Sequence, residues 1–222
     1  MTPSAHGRFA ALLEALADPA APTAVHDPVR ARDVHIADSL AGLDVPGVPQ
    51  ARRIADLGSG AGLPGLVLAI ALPQAEVVLV ESVGRKCAWL ETTIERLGLG
   101  NVSVGCARAE ELGAAPFDVV TARALAALPV LCEYAAPLLR EGGVLVAWKG
   151  SVGDAEEADG LAAAAVLGLE RAEVRRVEPY PGSERRALHV FRKVAPTPAG
   201  YPRRPGMAAK RPLTARSGRG ER

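Results

Sequence analysis

The feature that most restricts this chain is a glycine cluster where an apolar strand gives way to a helix. Residues 52–57 read as a strand that runs into Gly58-Ser59-Gly60-Ala61-Gly62-Leu63-Pro64-Gly65, and 66–72 read as a helix stopped by Pro73. Glycines at such a junction permit positive φ and let a ligand approach the main chain. The helix behind them offers free N–H groups and a positive dipole end to a negative group. A second apolar strand, 77–80, ends at Glu81. A carboxylate there accepts hydrogen bonds from both ribose hydroxyls of an adenine nucleoside. Glycine loop and acidic strand end together imply an adenosine-containing cofactor. Glycines that only made a tight turn would leave the position of Glu81 unexplained.

The pattern of alternating strands and helices continues. Strands are predicted at 102–106, 117–122, 144–148, 174–177 and 188–192. Helices are predicted at 85–97, closed by Gly98, at 128–139, stopped by Glu141-Gly142-Gly143, and at 155–167. This order predicts an α/β fold, one open and mostly parallel sheet with helices on both faces. The first 50 residues are weakly organised. Phe9, Leu12, Leu13 and Leu16 have helical spacing, and a short helix over 29–43 carries His35, Asp38 and Ser39. After Val194 the chain is rich in Pro, Arg and Gly and reads as an extended tail. The predicted organisation is a helical segment 1–50, an α/β domain 51–194 and a basic tail 195–222.

With 222 residues, 49% of them hydrophobic, the chain suffices for one mid-sized domain. Its net charge of +1 hides an asymmetry: from Arg192 onward there are nine basic residues and one acid, +8 against −7 for the remainder. Such a block suits a polyanionic partner or a solubilising tail. Cys87, Cys106 and Cys132 are odd in number and lack C-x-x-C spacing. They predict core thiols, with neither a disulfide framework nor a zinc site, in a reducing cytoplasm. No apolar run reaches the roughly 18–20 residues of a membrane span. The expectation is a cytoplasmic monomer without metal.

Two cofactors share the adenosine. Gly60-x-Gly62-x-x-Gly65 also fits a dinucleotide fingerprint. Against a nicotinamide dinucleotide stand Asp56, inside the strand end where an apolar residue is more usual, and the lack of a substantial second domain. S-adenosylmethionine fits better. Asp56 would face its cationic amino or sulfonium end, and loop N–H groups would take its carboxylate.

The stretch Asp56-Leu57-Gly58-Ser59-Gly60-Ala61-Gly62-Leu63-Pro64-Gly65 closely resembles the cofactor loop of the bacterial small-subunit rRNA guanine-N7 methyltransferases, the glucose-inhibited division protein B family. Similar motifs follow in order: His35-Ile36-x-Asp38-Ser39, Glu81-Ser82-x-x-Arg85-Lys86, Arg108-Ala109-Glu110-Glu111, Phe117-Asp118-x-x-x-x-Arg123-Ala124, Lys149-Gly150, and Arg203-Arg204-x-Gly206-x-x-x-Lys210-Arg211-Pro212-Leu213. The resemblance covers about residues 23–213. It implies a class I S-adenosylmethionine-dependent, Rossmann-like methyltransferase fold with a seven-stranded sheet. The implied target is N7 of one guanine in 16S rRNA. The chain departs from many members in lacking a Trp-Asn and Asn-Leu-Thr signature near Ala21-Pro22-Thr23 and in carrying Val34 where an Arg commonly precedes the histidine.

Carried over position by position, the resemblance implies that Gly58 and Leu63 line the cofactor pocket, Ala109 and Glu110 lie by the adenine and Arg123 sits next to the methyl; with Asp56, Gly60, Gly62 and Glu81 from the loop and strand end they are the candidate cofactor site. Arg123, at the end of the fourth strand, is the candidate catalytic residue. It would orient guanine O6 or buttress the cofactor carboxylate; the alternative is a structural ion pair with an acid such as Asp118 or Glu133. His35, Lys149, Arg203, Arg204, Lys210 and Arg211 are candidate contacts to RNA. The competing readings are a class I methyltransferase of another RNA base or a small molecule, a dinucleotide-dependent oxidoreductase, and a non-catalytic RNA-binding protein.

Overall fold

The structure, a computed structural model, describes residues 4–113 and 116–215. Five strands run parallel: β1 (Arg53–Leu57), β2 (Glu76–Glu81), β3 (Val102–Cys106), β4 (Phe117–Arg123) and β5 (Leu139–Lys149). With β6 (Leu169–Val177) and β7 (Arg186–Lys193) they form one sheet in the order β3-β2-β1-β4-β5-β7-β6, β7 being antiparallel to both neighbours. The order reverses beside β1, so the crevice between the β1 and β4 carboxyl ends is the place where such sheets bind ligands.

Apolar runs make this sheet possible. Ile54 and Ala55 are both wholly buried but lie in different core clusters. Successive side chains point to opposite faces, and both faces are covered. On one face α1 (Ala5–Ala17), α4 (Gly65–Ala71) and α5 (Gly84–Leu97) contribute Leu12, Leu16, Leu66 and Leu90. On the other, α6 (Leu128–Ala135) and α7 (Asp154–Val166) contribute Leu131, Cys132 and Ala163. The N-terminal segment therefore shares the sheet's core.

Several local expectations are corrected. The predicted helix 29–43 is a composite: α2 (Pro28–Ala31), a π-helical turn (Arg32–Ala37), α3 (Asp38–Leu40) and a 3-10 turn (Ala41–Asp44). The helix predicted to reach residue 139 ends at Ala135, and Glu141-Gly142-Gly143 lies within β5. Gly142 takes φ +79° there, and a Cβ on Gly143 would sit 2.9 Å from the Asp118 carbonyl oxygen, so glycine serves a strand irregularity and not a helix stop.

Cys87 and Cys106 form a disulfide, against expectation, and Cys106 is exposed. The crossover from β2 through α5 to β3 brings together two cysteines 19 residues apart, with Cα atoms 5.9 Å from each other. Cys132 is the buried thiol anticipated, and burial pushes its ionisation up. The tail is not a free extended arm. It crosses the α6 face, forms the short α8 (Met207–Lys210) and buries Ala208. Arg216, Arg219 and Arg222 lie outside the described residues.

Candidate active site

The glycine loop leaves β1 at the reversal point. Gly58 has φ +65°, and a Cβ there would sit 2.5 Å from Leu125 Cδ1. Glycine is needed both for the turn and for the space above it. Loop geometry is set by internal bonds. The Val80 carbonyl oxygen accepts from the Gly58 and Ser59 N–H groups at 2.8 and 3.1 Å. Glu81, 5% exposed at the end of β2, accepts from Gly60 N–H at 3.1 Å and from Val83 N–H at 2.9 Å. Gly62 and Leu63 N–H groups both donate to the Ser59 carbonyl oxygen. Three of these five N–H groups are thus taken by the end of β2 and two by the loop itself, and the expectation that they stand open to a carboxylate is corrected.

Asp56 is corrected too. It is wholly buried beneath the loop and does not face the crevice. Oδ1 accepts from Thr121 Oγ1 at 2.7 Å, and Oδ2 accepts from Gly65 N–H at 3.2 Å. Burial pushes its pKa up to about 6 despite these bonds and despite the charge of Arg123. Asp56 ties β1 to β4 and to the first turn of α4. Leu63 is likewise packed into the core on the α4 face and does not line the pocket.

Beside the loop lies a pocket of ≈ 110 Å³ whose walls include Gly58, Ser82, Ala109, Glu110, Leu125 and Tyr134. Typical small-molecule pockets exceed about 300 Å³, so this volume suits one end of a cofactor, such as a flat base. It brings Gly58 together with Ala109 and Glu110. Tyr134 carried no sequence signal; burial first, then the Glu110 carboxylate, push its phenol up. The far wall is braced by the tail. Gly206 N–H donates to Glu110 Oε1 at 2.8 Å. Arg203 grips the wholly buried Glu133, which adjoins Tyr134 on α6, with Nε at 2.9 Å, Nη2 at 2.5 Å and its own backbone N–H at 3.1 Å. Arg203 is therefore a clasp behind the pocket, with its charge spent inside the protein, and not a phosphate contact.

Arg123 closes β4 at the other side of the crevice, and its partner is neither Asp118 nor Glu133. Its Nη1 donates to Asp38 Oδ2 at 3.0 Å and to the Val34 carbonyl oxygen at 3.2 Å. Val34 lies within the π-helical turn Arg32–Ala37, and such turns recur at functional sites. Asp38 is wholly buried. Its Oδ1 lies 3.3 Å from Arg186 Nε, an ion-pair contact without hydrogen-bond geometry, and its backbone carbonyl accepts from Trp148 Nε1 at 2.8 Å. Burial lowers the Arg123 pKa from its ordinary value, and Asp38 opposes that shift. Next in sequence, Ala124 adopts φ 54°, strained backbone for a residue with a Cβ and a feature that clusters at active sites.

The remaining predicted RNA contacts divide. His35 is 9% exposed, shares a 2.9 Å hydrogen bond between Nε2 and Thr23 Oγ1, and has Nδ1 3.2 Å from the Val34 carbonyl oxygen. Burial and then Arg123 lower its pKa to about 4. It is neutral near pH 7, with both ring nitrogens engaged. Lys149 is paired with Glu156 at 2.7 Å and donates to the Ala126 carbonyl oxygen at 3.2 Å. Neither is a free cation for phosphate. Arg204, Lys210 and Arg211 are exposed on the tail.

Against this geometry, a model of the family described as rRNA small subunit methyltransferase G matches residues 5–185. The chain belongs to that family. It is 47% identical over 187 residues to a ribosomal RNA small subunit methyltransferase G of Rubrobacter xylanophilus, covering 81% of this chain and 72% of that one. It is 51% identical over 166 residues to the protein of the same name from Roseiflexus castenholzii, covering 72% and 70%. A crystal structure of MtNAS in complex with S-adenosylmethionine superposes with a TM-score of 0.60 at 16% identity, covering 83% of this chain and 72% of that one. The 16S rRNA methyltransferase KamB superposes with a TM-score of 0.54 at 15% identity, covering 64% and 88%. The fold is that of the class I S-adenosylmethionine-dependent methyltransferases. Among the described residues no helix is long and apolar enough to cross a membrane.

Proposed function

We infer that this family member transfers the methyl group of S-adenosylmethionine to N7 of a guanine in 16S rRNA. The observation that carries the reading is the single pocket uniting Gly58 with Ala109 and Glu110, at the reversal point of a sheet whose family is known. Gly58, Ala109, Glu110 and Tyr134 would hold the adenosine end, and Glu81, turned toward the loop, would meet the ribose. The cofactor supplies a methyl on a positively charged sulfur. Guanine N7 presents an in-plane lone pair and no proton, so direct in-line attack on the methyl carbon forms the N–C bond as the C–S bond breaks. The protein then has to align the reactants and stabilise charge moving onto the purine. A neutral, fully engaged His35 and a buried Asp38 held by two arginines suit that role, because neither is required as a base.

Arg123 would be the residue nearest the chemistry. Asp38 and the Val34 carbonyl hold its Nη1, and Nη2 lies 3.5 Å from His35 Nδ1; the remaining guanidinium N–H groups would serve guanine O6, the acceptor arginine commonly reads. Residues 1–50 would supply the wall that holds Arg123, residues 51–194 the catalytic body, and 195–222 a segment whose first part braces the cofactor pocket. Arg204, Lys210 and Arg211 would contact RNA phosphate. We place the protein in the cytoplasm, as a monomer that uses no metal. The test is nucleoside analysis of 16S rRNA from a strain lacking this protein. One N7-methylguanosine should disappear and return with the wild-type gene; an unchanged nucleoside profile would refute the assignment.

A further inference from the structure

A second cavity, of ≈ 400 Å³, opens on the β5–β7 side of the carboxyl edge. Its walls come from the loop after β5 (Gly150, Ser151), from β6 (Arg176), and from the turn into β7 and its first residues (Arg185, Arg186, His189). It shares a wall with the site above, because Arg186 lines it and also pairs with Asp38, the partner of Arg123. Three features mark it as built for a ligand. Its volume falls within the range of about 300–1,000 Å³ typical of small-molecule sites. His189 is 4% exposed, yet its Nδ1 has no hydrogen-bond partner among the described residues. Such buried, unsatisfied atoms are rare and call for a partner. Arg176 and Arg185 are exposed and form no ion pair among the described residues.

The acids nearby do not cancel this set. Glu157 lines the cavity but is ion-paired with Arg171, and Glu184 is set against two unpaired arginines. A half-open cleft with two free guanidinium groups and an imidazole ring in its lining has the chemistry to take a nucleotide. Guanidinium groups bind phosphate through several N–H donors at once. An imidazole ring packs against a base or a ribose, and the 2′-hydroxyl, donor and acceptor together, is distinctive of RNA. Arg176 and His189 stand on the antiparallel pair β6–β7, and Arg185 on the turn that enters β7.

We propose that this cavity, shaped by Arg176, Arg185 and His189, binds a ribonucleotide flanking the target guanine. Phosphate would lie on the two arginines, and base or ribose against His189. The proposal rests on the rRNA reading and adds a place on the protein where the strand is held while the neighbouring base reaches Arg123. Arg186 joins the two sites through Asp38, so RNA seated here would press on the ion pair that orients Arg123.

The test is steady-state methylation of unmethylated 16S rRNA by the full-length protein, with S-adenosylhomocysteine affinity measured alongside by calorimetry. Arg176→Ala/Arg185→Ala should raise KM for RNA at least tenfold, leave cofactor affinity within twofold, and make the dependence of log KM on log salt shallower by nearly two ions. His189→Gln, which keeps an amide of similar reach, should raise the RNA KM severalfold at an unchanged salt slope. Wild-type activity together with an unaltered RNA KM in the arginine double variant would overturn this proposal and leave the methyltransferase reading intact. A wild-type protein that binds S-adenosylhomocysteine but methylates no RNA would instead refute the reading beneath it. The exposed arginines can be changed without touching the core, so the double variant decides even where His189→Gln folds poorly.

Discussion

Around the cofactor loop the polar groups already satisfy one another. Asp56, Glu81 and five loop N–H groups have protein partners, and Glu110 is tethered from the tail. At the β5–β7 end of the same edge, Arg176, Arg185 and His189 Nδ1 stand without partners among the described residues. The two proposed ligands would account for the difference. A small cofactor is held best by a preorganised pocket that pays little to order itself. A polyanion that must bind and leave is met by charges kept free for it. Arg123 sits between the regions, paired on the protein side by Asp38, which in turn contacts Arg186 of the second cavity.

The comparison breaks first at Gly58. Gly58→Asp forces a side chain into left-handed backbone and onto Leu125, with a carboxylate aimed at the pocket. Calorimetry should show S-adenosylhomocysteine binding weakened by about 100-fold or more while far-UV circular dichroism stays native. Retained affinity would show that the pocket beside the loop is not the cofactor's.

Next is the clasp. Arg203→Ala leaves the buried Glu133 carboxylate without its partner, and such losses cost about 3–5 kcal/mol, read as a lower denaturation midpoint. Because Glu133 adjoins Tyr134 and Gly206 tethers Glu110, cofactor affinity should also fall, by about tenfold, with the salt dependence of RNA binding unchanged. A changed salt slope at full cofactor affinity would return Arg203 to the RNA side. Arg204→Ala/Lys210→Ala should do the reverse, flattening the salt dependence and sparing cofactor binding.

The smallest effect concerns pH. The folded pKa of His35 is about 4, below its usual 6.5, so the unfolded chain binds more protons between those values. Stability from this group is full above pH 6.5 and is lost as pH falls toward 4. Asp56 acts oppositely. With its pKa raised to about 6, the folded state holds the extra proton, and its contribution improves as pH falls from 6 toward 4. Relative to His35→Gln, the wild type should lose on the order of 2 kcal/mol on acidification from pH 7 to 4.5. Parallel pH profiles for the two proteins would mean that His35 is not held neutral by the fold.

How much of this was legible in the sequence depended on whether the cause was local. Positive φ at Gly58, the acid at the end of β2 and the parallel sheet follow from neighbours within a few residues, and they read correctly. The partner of Arg123 did not. It depends on contacts with the π-helical turn that holds Val34 and with Asp38, 85 residues away. The tail read as a polyanion arm because composition counts charges without their partners, and the Glu133 that neutralises Arg203 lies 70 residues upstream. The Cys87–Cys106 pair was hidden for the same reason: the crossover, and not any spacing motif, brings the sulfurs together.

The most direct test of the central claim uses purified protein, unmethylated 16S rRNA and S-adenosylmethionine labelled in its methyl group. Label should enter the RNA at one guanine, released by N7-specific depurination, and the signal should vanish with Gly58→Asp. Label that appears on exocyclic amines, on ribose or only on protein would contradict the account.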